Sequence, residues 1–297
     1  MSPASPAVAI DLARNRLRRA SLKRSFEAVA NGPREKLSID LSQRDVDVAA
    51  VLEEITRPLG CDSTALLRLM AVFRNSGIAD SAIDRLSAKS VSARRSSARI
   101  LGALRMPQAV SFLAPMLASK DRVMADTAAR ALGRIGGSQS AHVLLRAIQR
   151  TGPRRTLIGA LARAAPDLFL EVALGAPQRP GVKPAAALAA GLRRRPTAVG
   201  PLVALLLHGT PRERAISCRA LGWIGSSAAI PAVLAALTDP EWKVRVAATK
   251  ALRVLHDGAA ILDLERLNAD RSPHVKQASV IALRRLTREL GFIESWL

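Results

Sequence analysis

The stretch DPEWKVRVAATKALRVL, residues 239–255, decides the fold. It opens on a polar residue and Pro, continues through basic and small residues, and reaches Ala-Leu. The same order returns in TPRERAISCRALGWIG at 210–225 and in SPHVKQASVIALRRL at 272–286. A cap-type residue followed by Pro is how a helix starts: the side chain accepts a backbone hydrogen bond, and Pro fits the first turn, where its missing N–H is not needed. Three such starts in a row predict a repeated helical unit.

Taking the Leu of each Ala-Leu, or its equivalent, as an anchor gives Leu101, Leu132, Leu161, Leu192, Leu221, Leu252 and Leu283, spaced by 31, 29, 31, 29, 31 and 31 residues. A period near 30 accommodates two helices of about 12 residues and two turns. ALGRIGGSQSAHVLLRAI (131–148) and ALGWIGSSAAIPAVLAAL (220–237) match almost position for position, each reading as a helix, a polar turn and a second helix. Gly133, Gly136, Gly137, Gly222 and Gly225 are expected as left-handed C-caps. A single hairpin of this kind cannot bury its own apolar face, so hairpins stack and share one core.

These residues, with GSSAAIPAVLAALTDP ahead of DPEWKVR, resemble HEAT repeats, and among them the short bacterial PBS-lyase-like variety. The resemblance covers about residues 86–290 in six to seven units. It is strongest at 210–286 and weakest at 151–200, where APQRPGVKPAAALAAGLRRRPTAVG reads as a degenerate unit with a longer turn. The arrangement as a whole also resembles bacterial HEAT-repeat proteins found alongside glycosyltransferases, which implies a scaffold. The expected fold is all-α: a right-handed α-solenoid of HEAT-like helical hairpins. Residues 1–7 are expected to be disordered. Residues 8–85 are read as a divergent helical region capping the array, with helices at 8–30, 43–57, 63–75 and 78–86. Residues 86–297 form the array, closed by a cap of Phe292, Ile293, Trp296 and Leu297.

Composition agrees with packed helices. Ala and Leu dominate, aromatics are 3%, and there is no Tyr, which disfavours a β-sandwich or barrel. The net charge of +21 predicts attraction to a polyanion. The two cysteines, Cys61 and Cys218, fit no metal spacing, and a cytoplasmic location is the expectation. The start of the chain lacks the order of a signal peptide, and no apolar run approaches the ~20 residues of a membrane-spanning helix.

Seven residues before the anchors stand Arg94, Arg154, Arg214, Arg245 and Lys276, with Ala125 and Ala185 in the other two units. The resemblance to HEAT repeats implies that this residue pairs with an Asp in the preceding turn, thirteen before the anchor. That position holds Asp239 and Asp270 in the last two units and no acid elsewhere, so the charges of Arg94, Arg154 and Arg214 are expected to be either solvated or available to an anion. The clusters ARR (93–95), PRR (153–155), RRRP (193–196) and PRER (211–214), which include Arg95 and Arg155, are expected to line up at similar heights as a basic stripe, with repeats about 10 Å apart. Trp223 reads as core, and Trp242, beside Lys243, as the aromatic best placed to contact a partner. LARNRLRRASLKRSF (12–26) carries six cations and no acid, with Ile10, Leu17 and Phe26 on one apolar side, a pattern that suits an anionic membrane surface.

Enzyme chemistry has little support. His142, His208, His256 and His274 form no paired metal motif, and no Gly-rich phosphate loop is present. Asp239, Glu241 and Trp242 come nearest to a glycosylase-like carboxylate framed by an aromatic, yet Asp239 is better explained as a cap. The reading is a non-catalytic scaffold without cofactor, metal or small-molecule substrate, binding an acidic protein partner through Arg94, Arg95, Arg154, Arg155, Arg214, Trp242, Lys243, Arg245 and Lys276. Nucleic acid held by its phosphates is the alternative, and contact with a membrane-associated complex a further expectation.

Overall fold

Ala-rich stretches bounded by caps and turns become helices wherever the period places them. In the computed structural model the described backbone covers residues 6–32, 36–37, 39, 45–255 and 260–294, with side chains described from residue 14 to 288 within those ranges, except 45–47. The described secondary structure is entirely helical. Packing divides the chain into two units, Met1–Val143 and Leu144–Leu297.

The first unit holds α1 (Pro6–Ala30), α2 (Asp45–Thr56), α3 (Thr64–Asn75), α4 (Ile78–Asp84), α5 (Val91–Ala103), α6 (Val110–Leu113), α7 (Arg122–Ile135) and the start of α8 (Gly137–Thr151). The four helices expected before the array are present, each within two or three residues of its expected bounds. Pro6 and Ala7 belong to α1, and residues 1–5 lie outside the described ones. Helix α2 packs on α5 and α5 on α7, while α1 lies against α2 and α3. The end of α1 enters the core through Phe26 and Val29, and Phe26 meets Phe73 of α3 with ring centroids 5.5 Å apart.

The second unit holds α9 (Arg155–Ala164), α10 (Asp167–Gly175), α11 (Val182–Leu192), α12 (Val199–His208), α13 (Pro211–Ile224), α14 (Ile230–Ala235), α15 (Trp242–Leu255), α16 (Ile261–Arg266) and α17 (Pro273–Glu294). Helices α9, α11, α13, α15 and α17 stack in sequence as one layer. Helices α10, α12 and α14 pack in order as a second layer, joined to the first through contacts such as α12 with α13, and α16 lies against α17. This is an α-solenoid of helical hairpins. The weak stretch at 151–200 forms its unit around the loop 176–181, which ends at Gly181 with φ +87°. The proposed cap of Phe292, Ile293, Trp296 and Leu297 lies outside the described side chains.

Within each unit, one glycine position sets the spacing of stacked helices. A Cβ on Gly102 would lie 2.7 Å from Ala131 Cα; on Gly191, 2.9 Å from Ala220 Cα; on Gly222, 2.9 Å from Ala251 Cα. Each glycine therefore lets its helix reach the backbone of the next, 29 residues on. Gly222 and Gly133 are buried inside α13 and α7, which corrects their expected role as caps. Gly225 is the left-handed cap, at φ +79° and ψ 20°. Arg105 and Arg194 hold the equivalent place at φ +49° and +50°, three residues after their own packing glycine.

This register corrects one anchor. Gly191 corresponds to Gly102 and Gly222, so the anchor of its unit is Ala190, which is fully buried, and not Leu192, which is 50% exposed. The residue seven before it is then Lys183 rather than Ala185, which restores a cation to that repeat position.

Candidate functional site

Successive helices of the stacked layer are tied at their starts by arginine. Arg214, in the first turn of α13, donates from Nε and Nη2 to both carboxylate oxygens of Asp239, at 2.7 and 2.8 Å. Arg245 of α15 does the same to Asp270 at the same distances. Both pairings run forward, to the turn that leads into the next helix. This corrects two expectations: Arg245 is paired with Asp270 and not with the carboxylate of Asp239, and Arg214, read as solvated or open to an anion, already has an acid partner. Stacking of α13 on α15 and of α15 on α17 brings the next turn beside each arginine. The preceding turn supplies carbonyls instead, Gly209 for Arg214 at 3.1 Å, and Asp239 and Pro240 for Arg245 at 2.8 and 3.1 Å.

Each aspartate also closes its own turn, accepting from the amide two residues on: Glu241 at 2.9 Å for Asp239, Ser272 at 2.7 Å for Asp270. Burial pushes the Asp239 carboxyl up, but the Arg214 guanidinium, the Glu241 amide and the nearby Arg245 charge hold it below the usual carboxylate range. At Asp270 the Arg245 bonds dominate, outweigh burial and hold the group low. Burial beneath the first of these pairs pushes the Cys218 thiol up to about 12, which leaves it inert as a nucleophile near neutral pH.

The remaining expected site residues are dispersed. Arg94 donates to the carbonyls of Ala88 and Lys89, at 2.7 and 3.1 Å, and Arg95 lies 3.5 Å from Asp121. Arg154 is half-buried with an interaction of its own inside the chain; Arg155 and Lys276 are exposed. Arg193, Arg194 and Arg195 follow the C-terminal end of α11, whereas Arg154 and Arg214 stand at the starts of α9 and α13, so these clusters do not share one height. In α1, Lys23 and Arg19 bond Glu54 at 2.7 and 2.8 Å and hold its carboxyl down at about 2. Phe26 is buried and Leu17 is 71% exposed, so they do not form one apolar side; the side chain of Ile10 is outside the described residues.

The structure assembles a different site. Between α13 and α15 runs a groove of about 750 Å3, lined by residues of these two helices and by Glu241 in the turn leading into α15. Its floor is small or aliphatic: Ala215, Ile216, Gly222, Val246, Ala247 and Ala251. Arg212 and Arg219 line it from α13, and Lys243, Lys250 and Arg253 from α15, against a single carboxylate, Glu241. The two tryptophans border it. Trp223 is 36% exposed, which corrects its assignment to the core: it leans across the packing glycine of α11, close to where a Cβ on Gly191 would stand. Trp242 is equally exposed and stacks on His274, with centroids 4.8 Å apart and planes inclined by 23°, while Lys243 Nζ lies 5.6 Å from its ring centroid.

Two of these cations occupy one repeat position. Arg99, Arg219 and Lys250 each stand two residues before an anchor. In the first unit, Glu53 of α2 neutralises Arg99 at 2.6 Å and also takes Arg134 at 3.0 Å. Arg219 and Lys250 have no such partner among the described residues. Sequence reasoning found Trp242 and Lys243, and Arg212 as part of the PRER cluster, but missed Trp223, Arg219 and Lys250. The signal was the recurrence of Arg or Lys nine and two residues before both Leu221 and Leu252.

The family model for HEAT repeats matches residues 79–165 and 166–253. The chain belongs to the HEAT-repeat family. Similar solved structures include human deoxyhypusine hydroxylase in complex with glycerol, 19% identical over 92% of this HEAT-repeat chain and 99% of that one, with a TM-score of 0.37. Two engineered proteins are also similar. One is 22% identical over 71% of this chain and 97% of its own, TM-score 0.30; the other is 18% identical over 89% and 84%, TM-score 0.35. No curated protein matches the chain. Among the described residues of the HEAT-repeat chain, no group of three His, Cys, Asp or Glu is placed to hold a metal ion, and no helix is long and apolar enough to cross a membrane.

Proposed function

We propose that this HEAT-repeat protein is a non-catalytic scaffold that docks an acidic protein partner on the α13–α15 face. HEAT repeats in general serve as protein-interaction scaffolds. The observation that carries the specific reading is the unneutralised charge at Arg219 and Lys250, set over an apolar floor. An aliphatic floor contributes buried area, while flanking cations steer an acidic partner and reject basic ones. The ladder arginines Arg214 and Arg245 are already satisfied inside the chain, so their role in this reading is to hold α13, α15 and α17 in register. Arg19 and Lys23 are engaged by Glu54, which favours the groove over α1 as the docking surface.

The nucleic-acid alternative has one observation in its favour, the two exposed tryptophans, since single strands stack bases on aromatics. At Trp242 that role is already filled by His274 and Lys243. The test is a titration of labelled polyglutamate and of a labelled mixed-sequence DNA duplex near physiological salt, on the wild-type protein and on an Arg219→Glu, Lys250→Glu variant. The proposal expects polyglutamate binding that the variant loses. Duplex binding that survives this salt and is lost in the variant would replace it with the nucleic-acid reading.

A further inference from the structure

The groove has a defined pitch. Arg212 and Arg219 are seven residues apart on one wall, and Lys243 and Lys250 seven apart on the other. All four sit at equivalent places in consecutive repeats, nine and two residues before the anchors Leu221 and Leu252. Seven helical residues rise about 10 Å, so the groove presents two cation pairs facing each other with a common spacing of about 10 Å. Between them the floor stays apolar from Ala215 to Ala251.

That spacing selects among extended and helical occupants. On a strand, side chains on one face recur every ~6.7 Å, so carboxylates matched to one cation miss the next at either two or four residues. On a helix, residues seven apart return to the same face with the same ~10 Å rise as the groove walls. We infer that the groove takes an acidic amphipathic α-helix, laid along α13 and α15 with its apolar stripe on the floor. Carboxylates seven residues apart on both flanks of that helix then meet Arg212 and Arg219 on one side, Lys243 and Lys250 on the other. Trp223 closes the end of the floor at the C-terminal end of α13, where Gly222 draws α13 onto α15, and packs on the last apolar residue of the incoming helix. The inference deepens the proposed docking of an acidic protein and rests on it.

The test uses two labelled peptides of about 20 residues, long enough to form helix on binding. Both contain the same Leu, Ala, Glu and Gln content. In the first, Leu recurs at helical spacing with Glu seven apart on both flanks; in the second, the order is scrambled so that no apolar stripe forms. Affinity is read by anisotropy near physiological salt, and helix formation by circular dichroism. The expected result is at least tenfold tighter binding of the first peptide, helix gain on binding, and at least a tenfold loss in Arg219→Glu, Lys250→Glu and in Trp223→Ala. Equal binding of both peptides, with both lost in the charge-reversed protein, overturns the helix and leaves the acidic docking surface standing. Binding of either peptide that ignores the charge reversals overturns both. All three substituted side chains are exposed, so the variants are expected to keep the wild-type circular dichroism spectrum, which is measured alongside.

Discussion

Asp270 and Asp239 each join two successive repeats through one carboxylate, and their ionisation sets how that joint responds to acid. Both groups titrate below the usual carboxylate range in the folded protein. A depressed folded value means stability that is fully present above the unfolded value of about 3.9 and is lost as pH falls through the folded value. The arginines remain charged throughout this range. Asp270→Asn is therefore expected to lower stability by about 3 kcal/mol at pH 7, because it leaves the half-buried Arg245 without its counter-charge. Denaturant melts of wild type and variant should converge as pH falls through the depressed folded value of Asp270, and a difference that stays constant as pH is lowered would show that the carboxylate acts by shape alone. At Arg194 the backbone is left-handed, which costs a non-glycine residue about 1 kcal/mol. Arg194→Gly is expected to raise stability by about that amount in the same melts.

At the scale of the helix, the packing glycine opposes propensity to sterics. Ala is better than Gly in a helix interior by about 1 kcal/mol, so local preference alone says that Gly222→Ala stabilises α13. The added Cβ would stand 2.9 Å from Ala251 Cα, backbone that cannot swing away. The expected outcome is a net loss of about 1–3 kcal/mol by chemical denaturation, and a gain would mean that α13 and α15 separate readily. These same contacts mark where the sequence was legible. The helix starts at Thr210 and before Trp242, and the helices of the region before the array, were readable because caps, Pro and apolar spacing are local signals. The anchor in ALAAGLRRRP was misplaced because Leu192 is the more apolar of two candidates, and only the partner backbone of Ala220 reveals that Gly191 fixes the register. The direction of the Arg–Asp pairs was also hidden. An Asp six residues before one arginine lies 25 after the previous one, and periodicity alone does not distinguish the two.

For the whole molecule, the charge of +21 predicts attraction to a polyanion but does not say where on the surface. The candidates in Arg-rich runs were conspicuous in sequence, yet several are tied up inside the chain: Arg94 on carbonyls, Arg214 and Arg245 on aspartates. The groove was inconspicuous because its cations come singly from two helices 31 residues apart, and because Trp223 next to Gly222 reads as interior. The measurement that tests the central claim most directly is affinity capture from extract of the source cells, nuclease-treated and near physiological salt. Wild type and Arg219→Glu, Lys250→Glu serve as parallel baits, and captured proteins are quantified by mass spectrometry. The account predicts an acidic protein retained by wild type and lost in the variant, which then binds purified wild-type protein one to one. The same captured set with both baits would contradict it.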